Sequence, residues 1–87
     1  MNFKIEFTET ALEDYEYWKK TNNQKIIDKI KILLKNIQET PFTGLGKPEP
    51  LKHQLSGYWS RRINREHRIV YKVEREIIFV IALRHHY

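Results

Sequence analysis

Glu49 stands between Pro48 and Pro50, within a ten-residue stretch, 41–50, that holds three prolines and two glycines. Such a composition makes a structured loop rather than a slack tether, so the carboxylate is carried on stiff backbone. Further along come Arg61-Arg62, then Arg68, then the terminal run Arg84-His85-His86-Tyr87. These residue types suit metal-free cleavage of RNA. A base takes the proton of a 2′-hydroxyl, a cation holds charge developing on the phosphate, and an acid protonates the departing 5′-oxygen. Glutamate, arginine and histidine can fill those roles, and free imidazole titrates near pH ~6.5, so it exchanges protons at neutral pH. Each acid or base contributes about 10²–10⁴-fold, and oriented cations add a comparable or larger factor.

Every one of these residues also has a plainer reading. A lone glutamate in a Pro-Gly loop is more often a solvated turn residue. Strand arginines commonly pair with acids such as Glu66, Glu74 or Glu76, and terminal residues commonly fray. Here the terminal run follows directly on the apolar segment Ile77 to Leu83, which anchors it on one side. Adjacent residues on a strand point to opposite faces, so His85 and His86 do not readily share one ion, and strand alternation puts His86 on the side of Arg84. The chain has no cysteine, hence no disulfide framework and no zinc–thiolate site. It has no Ser/Cys triad, glycine-rich phosphate loop or dinucleotide fingerprint. No metal and no cofactor are expected.

The elements that must position these residues are legible from periodicity. Phe3, Ile5 and Phe7 alternate and predict a strand over 2–7. Thr8 or Thr10 can cap the next helix, Thr10 with Glu13 matching a capping box, and that helix runs to about Lys20 with Ala11, Tyr15 and Trp18 inward. Asn22-Asn23 breaks the chain and caps a second helix, whose stripe is Ile26, Ile27, Ile30, Leu33, Leu34 and Ile37. Thr40-Pro41 stops it. Segments Tyr58–Ile63, Arg68–Val73 and Ile77–Leu83, separated by short polar turns, predict an antiparallel meander, and Lys52–Leu55 is a candidate extra strand. The last segment is apolar on both faces and is expected to be central and covered by the helices. The expected fold class is α+β: two N-terminal helices packed on one face of a twisted, mostly antiparallel sheet, β-α-α-β-β-β with one optional further strand.

Length and charge bound the rest. Eighty-seven residues suffice for one domain, 1–87, and not two. Residues 1–46 carry seven lysines and seven acids, whereas residues 47–87 carry three lysines and six arginines against four acids, which places the whole net charge of +5 in the second half. Arginine pairs with phosphate through a planar fork, so that half is suited to an anionic partner such as nucleic acid. A charged, alternating segment comes after Met1 instead of an apolar leader, and the longest apolar run is far short of the ~20 residues that a membrane helix needs. A cytoplasmic protein with no membrane contact is expected.

Several blocks carry a resemblance. They are Lys47-Pro48-Glu49-Pro50-Leu51-Lys52-His53, Leu55-Ser56-Gly57-Tyr58-Trp59-Ser60-Arg61-Arg62-Ile63, Glu66-His67-Arg68-Ile69-Val70-Tyr71 and His86-Tyr87, together with Asp14-Tyr15-Glu16-Tyr17-Trp18 and Thr40-Pro41-Phe42. They closely resemble the YoeB (Txe) toxins, a branch of the RelE-like toxins of bacterial toxin–antitoxin systems. The resemblance covers nearly the whole chain. It implies a ribosome-dependent mRNA interferase that cuts message in the A site, leaving a 2′,3′-cyclic phosphate and a 5′-hydroxyl. It implies Glu49 as general base, His86 as general acid, Arg68 as phosphate stabiliser and Tyr87 as a phosphate-positioning or base-stacking residue. Lys52 and Arg62 match residues that hold the RNA backbone, and Glu66 matches one near the substrate base. The implied partners are a YefM-like antitoxin, the ribosome with its message, and a second toxin copy. One departure stands out: the family ending is often Tyr-His-Tyr, and here it is His85-His86-Tyr87.

Two other functions compete. A non-catalytic RNA- or ribosome-binding module explains the basic half equally well, but has no need of an acid/base pair. A gyrase inhibitor of the related ParE-like branch would share the fold, and those proteins lack the terminal His-Tyr.

Overall fold

A computed structural model describes residues 3–84. Strand β1 (Lys4–Phe7) leads into helices α1 (Glu9–Lys20) and α2 (Gln24–Glu39), as the sequence predicts. Then come a two-residue strand β2 (Glu49–Pro50), one 3₁₀ turn (His53–Leu55), and strands β3 (Tyr58–Arg62), β4 (Arg68–Glu74) and β5 (Ile77–Ala82). The sheet order is β1-β5-β4-β3-β2. Among the described residues only β1–β5 is parallel, and the other three pairings are antiparallel. The expected α+β architecture is the one observed.

Local chemistry explains the boundaries. Of the two threonines offered as caps for α1, the structure uses Thr8, whose hydroxyl oxygen accepts from the Ala11 amide at 3.2 Å. Thr8 is extended (φ −72°, ψ 167°), the geometry a cap requires, whereas Thr10 already lies inside the first turn. Thr8 also ties α1 to β5, because its amide donates to the Val80 carbonyl at 3.0 Å and its hydroxyl to the Ile81 carbonyl at 3.1 Å. Asn22 turns the chain at φ +54°, and Asn23 caps α2 through the Ile26 amide. Thr40 ends α2, and Pro41 cannot continue it.

Both helices pack on one face of the sheet. Ala11, Trp18, Ile26, Ile27, Ile30, Leu33 and Ile37 meet Ile69, Tyr71, Ile78, Val80 and Leu83 in one buried cluster. Strand β5 lies between β1 and β4, inside the sheet as expected. Its Ile78 and Val80 are buried under the helices, while Ile77, Phe79 and Ile81 on the alternate positions are half-buried. One expectation fails. Lys52–Leu55 is not a strand, because His53 sits at φ +59° and the chain coils into the 3₁₀ turn. The extra strand is Glu49–Pro50 instead. A proline is tolerated there because β2 is the sheet edge and needs no outward donor.

Candidate active site

The register of the sheet decides which charged side chains share a face. Residues directly opposite on antiparallel strands point the same way. Glu49 pairs with Ser60, Ser60 with Val70, and Val70 with Ala82. One step along, Arg62 pairs with Arg68, and in the other direction Tyr58 pairs with Lys72. The alternate residues Trp59, Arg61, Ile69 and Tyr71 turn toward the helices, so Glu49, Arg62, Arg68 and Lys72 all lie on the face opposite them. Ser60, Val70 and Ala82 are buried small residues running across this face. From strand spacing and rise, the Cα atoms of Glu49 and Arg68 stand about 12 Å apart, close enough for two long side chains to flank one phosphodiester.

This face is electrostatically primed for an anion. Arg62 and Arg68 lie directly opposite, a like-charge arrangement that is unfavourable without a counter-charge. Arg68 is only half-exposed, and its Nε is buried with no hydrogen-bond partner among the described residues. An unpaired buried guanidinium donor costs free energy that a phosphate oxygen would recover. Glu49 and Arg62 are exposed, open to a ligand arriving from solvent. Lys72 is accounted for differently: its ammonium lies over the Tyr58 and Phe79 rings and 3.6 Å from Glu74.

Arg61, grouped with Arg62 in the sequence, does something else. It is fully buried and points toward the helices. Its Nε donates to the Tyr71 hydroxyl at 3.1 Å, one Nη to the Asn36 amide oxygen and the Leu45 carbonyl, and the other to the Thr40 and Thr43 carbonyls. Tyr71 in turn donates to the Pro41 carbonyl at 2.6 Å. Residues 40–46 are thus bound around one guanidinium, and the Arg62 amide holds the Gly46 carbonyl at 2.7 Å. This is the stiff loop that delivers Glu49. Sequence could not separate the two arginines by type, but alternation along β3 does.

The remaining expected residues are more scattered. Lys52 is exposed at the start of the 3₁₀ turn. Glu66 is exposed in the turn joining β3 to β4, beside the Arg62–Arg68 pair, where the Asn64 side chain accepts from the Glu66 and His67 amides. His67 packs its ring edge-on against Trp18, on the helical side. Strand β5 ends at Ala82, two residues before Arg84. Arg84 stacks on the Tyr17 ring of α1, its guanidinium carbon 3.8 Å from the centroid. His85, His86 and Tyr87 lie outside the described residues.

Known proteins resemble this chain over nearly its whole length. Residues 7–87 match the model of the YoeB-like toxins of bacterial type II toxin–antitoxin systems. Toxin YoeB of Escherichia coli (strain K12) is 50% identical over 84 residues, covering 97% of this chain and 99% of that protein. Among solved structures, a YoeB/ParE toxin from Agrobacterium tumefaciens superposes with a TM-score of 0.92 at 48% identity, covering 97% of this chain and 99% of that one. The YoeB dimer of Staphylococcus aureus superposes at 0.88, and the same species' toxin in a heterotetrameric YoeB–YefM complex at 0.86, each 44% identical with full coverage of both chains. On this fold, this charged face and these relatives, the chain belongs to the YoeB-like toxins of bacterial type II toxin–antitoxin systems.

Proposed function

We propose that the chain is an endoribonuclease that cuts message in the ribosomal A site by acid/base transphosphorylation. The observation that carries this reading is the buried Nε of Arg68, without a hydrogen-bond partner among the described residues, on the same face as Glu49 and opposite Arg62. Glu49 takes the proton of the 2′-hydroxyl, whose oxygen attacks the adjacent phosphorus in line. Arg68 holds the charge that grows on the non-bridging oxygens. His86 protonates the departing 5′-oxygen, leaving a 2′,3′-cyclic phosphate and a 5′-hydroxyl. Tyr87 orients the phosphate or stacks on a base, Lys52 and Arg62 hold the backbone, and Glu66 lies near a base at the rim. None of these roles calls on a metal or cofactor.

The partners are inferred from the relatives. A YefM-like antitoxin binds the toxin, as YefM does in the Staphylococcus aureus complex, and two toxin copies associate as in the dimer from that species. The ribosome supplies the message, and the cytoplasm is where the two meet.

The test is cleavage of message on purified ribosomes, with end-group analysis of the products. Cyclic-phosphate ends are expected. Glu49→Gln, Arg68→Ala and His86→Ala should each slow cleavage by about 10²-fold or more while ribosome binding survives. Salt-sensitive binding without cutting under any condition would instead establish a non-catalytic module. Inhibition of gyrase would move the chain to the ParE-like branch.

A further inference from the structure

The Asp14-Tyr15-Glu16-Tyr17-Trp18 segment belongs to α1, across the sheet from the charged face, and the proposed chemistry gives it no part. The structure shows what it touches. Leu83, fully buried, is the first residue after β5 and has left the sheet ladder. A buried amide outside a ladder needs other partners. The Leu83 N–H donates to Asp14 Oδ2 at 2.9 Å, and the Leu83 carbonyl accepts from Trp18 Nε1 at 3.0 Å. Arg84 then lies over the Tyr17 ring. One turn of α1 therefore grips both backbone polar groups of one residue and the side chain of the next.

The register upstream explains why the grip is needed. Tyr71 pairs with Val80 and Val70 with Ala82, so Ile81 has no partner across the strand pair and forms a bulge. A bulge bends its strand and re-aims the residues after it. The Ile81 carbonyl is taken by the Thr8 hydroxyl. From Thr8 to Trp18, α1 is thus bonded along the whole exit of β5.

We infer that Asp14 and Trp18, seconded by Tyr17, are positioning residues that fix the point from which the terminal His86-Tyr87 is presented to the scissile phosphate. The inference rests on the nuclease reading. His86 follows Leu83 by only three residues, and each step of chain spans about 3.8 Å at most, so the tether between anchor and acid is short. A general acid on so short a tether inherits any error in its anchor, and a misplacement of about 1 Å can cost about 10²-fold.

The test uses the full chain on ribosome-bound message under single-turnover conditions, well below the melting temperature of every variant. Trp18→Phe keeps an aromatic ring and removes the N–H, and Asp14→Ala removes the acceptor. Each should lower the rate at saturating substrate by about 10-fold or more, with half-saturation unchanged within about twofold. Asp14→Asn retains an acceptor oxygen and should recover to within about threefold of the unsubstituted rate. The Leu83 amide should exchange with solvent faster in Asp14→Ala and not in Asp14→Asn. Ile37→Val, a core change remote from the grip, controls for general loosening and should cut at the full rate. Full activity in Trp18→Phe and Asp14→Ala, or an equal loss in Ile37→Val, overturns the positioning role while leaving the nuclease reading intact. No cleavage by the unsubstituted chain overturns the nuclease reading and this role with it.

Discussion

Two arginines adjacent on β3 divide between ligand and scaffold, and the division rests on which way a strand points them. Arg62 faces solvent opposite Arg68, whereas Arg61 is sealed beneath the helices and satisfied by three carbonyls, one amide oxygen and one phenol. No carboxylate takes part in those five bonds. The charge is dispersed into oxygen dipoles, which a planar fork can reach together and a single ammonium cannot. Arg61→Met should therefore destabilise the fold by about 3–5 kcal/mol, through lost charge-assisted bonds and stranded acceptors. Arg61→Lys should recover little of it. Urea unfolding of the purified variants measures both. Arg62→Met, by contrast, should not lower the unfolding midpoint, since the side chain is exposed and its loss relieves the like-charge contact with Arg68, a gain of about 0.5 kcal/mol at most.

At the scale of elements, the loop between α2 and β2 is built from backbone conformations that few residues adopt. Gly44 sits at φ +120°, and a Cβ there would collide with the Asn36 amide oxygen and come within 3.3 Å of an Arg61 Nη. That amide oxygen accepts from both Arg61 and the Leu45 amide. Gly44→Ala therefore combines backbone strain with damage to the knot around Arg61, and should cost about 1–3 kcal/mol. Because the same loop leads into Glu49, cleavage should fall in parallel with loop order. Urea midpoints and single-turnover rates measured on one variant preparation check the pairing of the two losses. The composition of residues 41–50 had already marked this loop as stiff. Which side chain stiffens it was not legible, because Arg61 is 16 and 18 residues away in sequence from the carbonyls it binds at Leu45 and Thr43.

For the whole molecule, the same buried knot should make stability fall at high pH. Burial pushes the Tyr71 hydroxyl above its ordinary value of 10.0, and the hydrogen bond and charge of Arg61 offset only part of that rise. A group whose folded pKa exceeds its unfolded one contributes its full stabilisation below the unfolded value. That contribution is lost as pH rises from about 10 through the folded value. The unfolding free energy should thus be flat with respect to this group up to about pH 9. Above about pH 10 it should decline, by at most about 1.4 kcal/mol per pH unit for one proton. Tyr71→Phe should start lower, having lost two hydrogen bonds, and should lack that component of the decline. Denaturant titrations at about pH 8, 10 and 11 on both proteins separate the two effects. A decline of equal steepness in both would assign it to other groups.

What the sequence by itself determined was the order of the two helices and the longer strands, because those obey local rules. Apolar periodicity drew both helices and the three long strands, asparagine and proline marked the breaks at Asn22-Asn23 and Thr40-Pro41, and alternation gave each strand two distinct sides. The likeness to toxin sequences also named the residues to watch. What only the tertiary structure decided was which sides meet. The register Glu49–Ser60–Val70 and Arg62–Arg68 brings a carboxylate and two guanidiniums from three strands onto one face. The bulge at Ile81 and the hold of Asp14 and Trp18 on Leu83 decide where β5 lets go of the sheet. Those outcomes depend on pairings between residues up to sixty-nine positions apart. A one-residue slip in any strand pairing would turn the side chains to the opposite face without changing a single local preference. Local propensity carries no information about that choice, and packing and hydrogen-bond satisfaction make it.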